Sequence, residues 1–181
     1  MTFWRLGFEG ASIADLTQAM GITPQSLYAA FTSKAELYRE AIGWYQARIG
    51  GFTVTALEQP DVMVALEGLL AGAAVEFSNP TRPQGCMIST AVLVCADENR
   101  PIAEMLARER DGMLDALMER IARGIAAGQL APDTDAKALA RFVGAIIQGM
   151  SVQARDGAET AELESIAAIA LAQLRRYAIA G

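Results

Sequence analysis

The side chains best able to recognise another molecule lie in a short segment, "TPQSLYAAF", at residues 23–31. Each helical residue turns about 100° from the last, so Leu27 points to one side while Gln25 and Ala29 point nearly opposite. Gln pairs bidentately with adenine, Ala contacts the thymine methyl group, and Ser26, on the flank, can hydrogen bond to several base edges. The segment therefore carries the chemistry for reading DNA base pairs.

Signals for helix ends surround this segment. Thr23 is a favourable N-cap with Pro24 at the first helical position, and Ser33 begins another helix with Glu36 at the capping-box position. Thr23 and Lys34 thus lie at helix N-termini, where hydroxyl groups, backbone N–H groups and positive charge suit phosphate oxygens. A helix this short is marginal alone, so the double capping indicates a helix that is presented rather than buried.

A further helix is predicted just before this one. Ser12 and Asp15 form a capping-box-like start, and Gly21 occupies the position of a left-handed C-terminal residue. Helix, glycine and short capped helix is the order of a helix-turn-helix, whose second helix enters the DNA major groove. The pattern also fits a plain helical hairpin with a solvated outer face, in which Tyr28 is half-buried against the next helix.

The charge distribution is compatible with DNA binding through the front of the chain alone. The 181 residues have a formal net charge of −6. Residues 1–52 carry four cations and four anions and are neutral, so eleven cations and seventeen anions fall in residues 53–181. A neutral N-terminal part followed by an acidic remainder gives only a weak electrostatic signal of nucleic-acid binding.

The composition argues against several kinds of active site. The sequence has no histidine and two cysteines, which removes His-based zinc sites and Ser-His or Cys-His nucleophiles, and two cysteines cannot close a structural zinc site. Gly-rich phosphate loops, GxSxG and HExxH are also lacking. We therefore expect no metal and no cofactor, and a binding protein rather than an enzyme.

Apolar residues recur with a helical period almost throughout, which predicts an all-α protein. We expect a small head at residues 1–47 and a larger body at residues 48–181. Long helices are predicted over residues 62–77, 101–127, 135–155 and 160–178, with a short one near Met87 to Cys95.

Nothing in the sequence indicates a membrane or an exported protein. The run "MISTAVLVCA" stops at Asp97, short of the roughly 18 apolar residues that a span needs. The N-terminus lacks a signal-peptide pattern. Cys86 and Cys95 form no disulfide framework and are expected to be buried and inert, so a cytoplasmic location is expected.

The body offers candidates for self-association and for a ligand pocket. Two apolar helices with small residues beside them suit a four-helix dimer interface, with the candidate residues Phe142, Val143, Ile146, Ile147, Met150, Ile166, Ala170 and Leu174. Adaptable methionines and other apolar residues suit a permissive pocket, with the candidates Met63, Leu66, Leu70, Phe77, Met87, Met105 and Met113. Both sets are also compatible with ordinary packing inside one subunit.

The stretch "GFEGASIADLTQAMGITPQSLYAAFTSKAELYREAI" resembles the DNA-binding domain of the TetR/AcrR family of transcriptional regulators. The resemblance covers about 40 residues and rests on Gly7-Phe8, Ser12-Ile13, Ala19-Met20-Gly21, Ser26-Leu27-Tyr28, Phe31 and Ser33-Lys34-x-Glu36-Leu37. It implies a three-helix helix-turn-helix domain followed by a larger helical ligand-binding and dimerisation domain.

The resemblance also implies roles for individual residues. Tyr28, Thr23 and Lys34 would hold phosphates, and bases would be read by Gln25, Ser26 and Ala29. Family members usually have a full first helix preceded by a basic segment, whereas this chain starts at "MTFWRLG". We expect this difference to remove phosphate contacts and part of the packing around Trp4 and Leu6.

The resulting hypothesis is a ligand-responsive homodimeric regulator, acting as a repressor on a pseudo-palindromic double-stranded operator, with an unidentified small-molecule effector. Two alternatives stay open. One is a dimeric small-molecule binding module that has lost DNA binding through its shortened front end. The other is an enzyme that uses carboxylates such as Glu76 or Glu104.

Overall fold

The computed structural model describes residues 1–179 and confirms the all-α expectation. This part of the chain contains nine α-helices: α1 (Thr2–Gly10), α2 (Ile13–Met20), α3 (Pro24–Ala30), α4 (Lys34–Arg48), α5 (Gly51–Leu57), α6 (Val62–Phe77), α7 (Arg100–Ala126), α8 (Ala136–Arg155) and α9 (Thr160–Leu174). Single turns of 3-10 helix precede α7 and follow α9. Within residues 1–179, none of the helices is long and apolar enough to cross a bilayer.

The caps predicted for the front helices are present. Ser12 and Asp15 form a reciprocal capping box at the start of α2, and Gly21 ends that helix with a φ of 65°. A left-handed residue there costs little only as glycine, because it has no Cβ. Ser33 accepts a hydrogen bond from the Glu36 backbone N–H, but the Glu36 carboxylate binds Thr32 instead of closing a box.

Aromatic side chains form the centre of the core in the head. The Phe3 ring meets Tyr38 edge-on at 4.9 Å between centroids, and Trp4 meets Tyr45 in the same way at 4.9 Å. Trp4 is 2% exposed, so the expectation that it lacks packing is wrong: α4 and the segment after α6 enclose it. Leu6 is 39% exposed.

The body has a second, larger core built mainly by α6, α8 and α9. Val62, Leu66 and Leu70 of α6 are fully buried against this core. Arg120 of α7 is 3% exposed and donates hydrogen bonds to the carbonyls of Gln59 and Pro60, both at 2.9 Å. These bonds fix the turn before α6 onto α7.

Two helix predictions are wrong. Residues near Met87 to Cys95 form consecutive turns rather than a helix, because Cys86 Sγ accepts the backbone N–H groups of Ile88 and Ser89 and Val92 has a positive φ of 49°. The helix α5 is missing from the sequence-based prediction, since Gly50 and Gly51 read as a break. In the structure Gly51 is its first residue.

The segment of residues 85–89, called here the linking segment, passes close to α8. Gly85 has a φ of 75°, and a Cβ built there would lie 2.6 Å from the Ser151 carbonyl oxygen and 2.8 Å from Arg155 Cγ. Only glycine allows this approach. The linking segment is therefore held against α8 by backbone contact.

Replacing Gly85 by alanine should destabilise the protein by more than backbone strain alone. Gly128 provides a matched control, since its φ is 72° and a Cβ there meets nothing within 4 Å. Gly128→Ala should lower the free energy of unfolding by about 1–2 kcal/mol, because alanine is strained in the left-handed conformation. Gly85→Ala should lower it clearly more, and urea denaturation would measure both values. Equal losses for the two variants would contradict the close approach of Gly85 to α8.

Candidate nucleic-acid interface and effector cavity

The outer face of α3 carries the residues predicted to contact bases. Gln25, Ser26 and Ala29 are exposed, and Tyr28 is 51% exposed. Leu27, between them, is fully buried in the core of the head. A single anchored side chain therefore orients a short helix whose remaining face is open.

The first turn of α3 is fixed by Thr23. Its Oγ1 accepts the Ser26 backbone N–H at 3.1 Å and lies 3.0 Å from the Ser26 hydroxyl oxygen. Pro24 then begins the helix with a pre-set φ. Because a hydroxyl group has one donor and two acceptor positions, Ser26 keeps hydrogen-bonding capacity for a ligand.

Lys34 is held in place by the head itself. Its ammonium lies 4.7 Å from the centroid of the Phe8 ring, a cation–π contact. Partial burial lowers the pKa of Lys34, and the nearby Glu9 carboxylate opposes that shift. Hydrogen bonds from Asn99 and the Ala96 backbone lower the pKa of Glu9 itself. The cation thus sits at the start of α4 with its position set.

Three of the hydrogen bonds between the head and the body lie at or next to the linking segment. The Trp4 indole N–H donates to the Gly85 carbonyl oxygen at 3.1 Å in a buried position, and Arg155 donates to the Trp4 carbonyl oxygen at 3.1 Å. The Tyr45 hydroxyl donates to Cys86 Sγ at 3.4 Å, and burial raises the pKa of Tyr45. The linking segment is therefore one direct contact of α1 and α4 with the body, beside those of Glu9 with Ala96 and Asn99 and of Gln46 with Glu109.

A cavity of about 320 Å³ lies on the other side of the linking segment. Its walls come from α4 to α8 and from Cys86, Ile88 and Ser89 of the linking segment. Tyr45 of α4 also lines it. The residues that hold the head in place thus form part of the cavity wall.

Of the seven predicted pocket residues, Phe77 and Met113 line this cavity. The other five do not line this cavity. Leu66 and Leu70 are fully buried in the core of the body with Met63 packed beside them, whereas Met87 and Met105 pack in the core of the head. A helical stripe shows which residues turn inward, but core and cavity wall lie on the same side of a helix.

The predicted dimer residues divide in the same way. Phe142 is 36% exposed, and Ile146 and Ile166 are half-buried. The other five are buried inside the single chain and offer little surface to a partner: Val143, Ile147, Met150, Ala170 and Leu174. Val152, 43% exposed, and Ile169, 74% exposed, were missed.

Several polar residues of the cavity were also missed by sequence reasoning. Gln46, Arg110 and Gln148 line it. Gln46 and Gln148 each follow an apolar residue and Arg110 lies between Glu109 and Asp111, so all three read as solvent-facing. The one available signal was the sequence "ERDGM", where a glycine interrupts a long charged helix beside Met113.

The chain belongs to the TetR family of bacterial regulatory proteins. The family model described as "Bacterial regulatory proteins, tetR family" matches residues 1–41, and that described as "Tetracyclin repressor-like, C-terminal domain" matches residues 64–170. The fold, an N-terminal helix-turn-helix unit followed by a larger helical part, is the one this family shares. The chain is thus a transcription regulator.

Individual relatives cover nearly the whole chain. It is 33% identical to the HTH-type transcriptional repressor ComR of Escherichia coli (strain K12) over 93% of this chain and 81% of that protein. It is similar to the structure of a cysteine-substituted variant of the TetR-family regulator CifR in complex with 26-bp double-strand operator DNA. That match has a TM-score of 0.91 and 38% identity, over 94% of this chain and 90% of the other.

A regulator from Rhodococcus sp. RHA1 is almost as similar in sequence but less so in fold. It has 37% identity and a TM-score of 0.66 over 94% of this chain and 92% of that one.

The two tryptophans test the attachment of the head to the linking segment. Trp4→Phe removes the buried N–H donor and leaves the Gly85 carbonyl oxygen unpaired, and it also reduces core volume. We expect a loss of about 2 kcal/mol or more in the free energy of unfolding. Trp44→Phe, at a side chain 52% exposed, should change it by less than about 0.5 kcal/mol.

Urea denaturation followed by far-ultraviolet circular dichroism would provide both values. A Trp4→Phe variant as stable as the Trp44→Phe control would show that the indole hydrogen bond does not hold the head.

Proposed function

We propose that this chain is a ligand-responsive repressor that binds a pseudo-palindromic operator as a homodimer, with α3 of each subunit in the major groove. The observation that carries the proposal is the open face of α3, which presents a base-reading set of side chains on a helix anchored by Leu27. The operator complex of the similar CifR variant supports it.

In this arrangement the residues of α3 divide into two kinds. Gln25, Ser26 and Ala29 contact base edges, and Gln25 carries most of the sequence information because a bidentate amide discriminates one base pair from another. Tyr28, Thr23 and Lys34 hold phosphates. Phosphate contacts set the register of the protein on the duplex and do not select the sequence.

The head is proposed to make these base and phosphate contacts with little net charge. The cations of residues 1–52, which are Arg5, Lys34, Arg39 and Arg48, are balanced by four carboxylates. A dimer has eight of these cations, so a plot of the log of the binding constant against the log of the salt concentration can have a slope no steeper than about −7. Binding with this few cations depends more on shape and base contacts than on electrostatics.

The division of roles predicts two different phenotypes on α3. Tyr28→Ala should weaken binding to all duplexes to a similar extent, whereas Gln25→Ala should lower affinity for the preferred duplex by about 5-fold or more and reduce discrimination against others. The measurement is fluorescence anisotropy with DNA from upstream of the chain's own gene and a scrambled duplex, at two salt concentrations.

If neither substitution changes affinity, α3 is not the recognition helix. A salt slope steeper than the bound set by the cations of residues 1–52 would place the DNA on another surface.

The dimer is proposed to form through the exposed apolar side chains of α8 and α9. Phe142 and Val152 lie on one side of α8, and Ile169 on α9 is 74% exposed. Ile146 and Ile166, both half-buried, continue the patch. Pairing the two helices with those of a second copy buries these side chains in a four-helix bundle and spaces the two α3 helices about 34–36 Å apart, one turn of DNA.

A charge in this patch should separate the subunits. Phe142→Glu and Ile169→Glu are each expected to convert the dimer to a 19.2 kDa monomer, seen by light scattering coupled to size exclusion. Val75→Glu, at an exposed apolar residue of α6, is the matched control and should leave the mass at twice that value. If all three variants stay dimeric, the interface is elsewhere.

The response to a ligand is proposed to pass through the linking segment. Head and body, which we propose divide near residue 47, share a core, since Met87, Ile102 and Leu106 pack among the aromatic residues of the head. A ligand in the cavity touches Tyr45 and Cys86, so it can favour one head position over another. It acts only through its difference in affinity for the two positions.

A further inference from the structure

The chemistry of the cavity wall identifies the class of molecule that the cavity accepts. Most of the wall is apolar, with Phe52, Leu69, Phe77, Leu114 and Ile147 among its members. Burial of apolar surface contributes about 25 cal/mol per Å². The cavity therefore favours a ligand whose body is mainly hydrocarbon.

Within residues 1–179, two charged side chains line the cavity, Glu109 and Arg110, and each forms hydrogen bonds with other groups of the protein. Arg110 Nη1 donates to the carbonyl oxygens of Ile88 and Ala91 at 3.1 and 3.2 Å. Glu109 accepts a hydrogen bond at 2.7 Å from the side-chain amide of Gln46, which is exposed at the cavity edge. Their formal charges cancel.

The remaining polar groups on the wall are uncharged. The Gln148 amide and the Ser89 and Thr53 hydroxyl groups can each exchange one or two hydrogen bonds with a ligand. None of them compensates a net charge, and moving an unpaired charge from water into an apolar site is costly. The wall thus tolerates polar groups on the ligand but selects against ionised ones.

We propose that the effector of this chain is a neutral, predominantly apolar small molecule that fits a cavity of about 320 Å³, near the lower end of ligand pockets. The proposal rests on the proposed function only in naming this cavity as the effector site. Contact with Tyr45 and Cys86 places the ligand against the residues that hold the head.

Two fluorescent probes with the same aromatic body test the selection by charge. N-phenyl-1-naphthylamine is neutral, and 8-anilinonaphthalene-1-sulfonate adds one negative charge. Titrating each into the full chain without DNA should give saturable binding of the neutral probe, at least 10-fold tighter than that of the sulfonate. Equal affinities, tighter binding of the sulfonate or no saturable binding of the neutral probe would overturn the proposal.

A pair of variants places the binding in this cavity. Gln148 is half-buried on the wall, so Gln148→Lys adds a cation to the wall that can attract the sulfonate, and Gln148→Met is a neutral control of similar length. The lysine variant should shift preference toward the sulfonate by about 10-fold relative to the methionine variant. If both variants keep the wild-type preference, the probe binds elsewhere and the assignment is wrong.

Circular dichroism confirms that each variant is folded. Anisotropy of the operator duplex, measured separately, reports on DNA binding, so loss of one activity does not obscure the other.

Discussion

The structure depends on the close packing of the linking segment between the head and α8. Gly85 approaches the Ser151 carbonyl so closely that no side chain is possible there, and its own carbonyl oxygen accepts the buried Trp4 indole N–H. The adjacent Cys86 receives the Tyr45 hydroxyl on its sulfur and donates its backbone N–H to the Ser151 hydroxyl at 2.8 Å. A few residues of irregular backbone therefore help to determine how α1 and α4 sit on the body.

This packing explains why one small unit can both present a helix and respond to a ligand. The aromatic core of the head makes it rigid, and Leu27 fixes α3 to that core. The head does not move on a free linker, because Met87 and Leu106 of the body complete the same core. In the proposed mechanism, a ligand that displaces the wall of the cavity also displaces the support of α3, and a small change in the wall becomes a change in spacing between two α3 helices.

The sequence predicted the parts of this arrangement that depend on local physics. Ser12, Gly21 and Thr23 specify helix ends through hydrogen bonds and backbone conformations that span only three or four residues, and all three have the predicted role in the structure. The identity of the exposed residues on α3 follows from the same helical geometry. The placement of Gln25, Ser26, Tyr28 and Ala29 on that face could therefore be derived without coordinates.

The cavity and the dimer patch depend on packing between distant residues, and here the sequence was a poor guide. Leu66 and Phe77 lie on the same stripe of α6 and both belong to the core of the body, yet only Phe77 also lines the cavity. Residues near Met87 to Cys95 read as an apolar helix, because an apolar pattern does not show that the Cys86 sulfur binds the Ile88 and Ser89 N–H groups. The contact of Gly85 with α8 is also not local in sequence. Met150 and Ile169 are both apolar residues on amphipathic helices, and only the three-dimensional packing shows that Met150 is buried and Ile169 exposed.

The central claim is that residues that hold the head in place also line the cavity. The two tryptophans allow a direct measurement of whether ligand binding is felt at the head. In a ¹H–¹⁵N spectrum of the labelled chain, the indole signal of Trp4, bonded to Gly85, should shift in proportion to the saturation of the cavity by N-phenyl-1-naphthylamine. The signal of Trp44, which is exposed on α4, should change little and serves as the internal reference. A Trp4 signal that stays in place while the probe saturates the cavity would show that the wall does not connect ligand binding to the head.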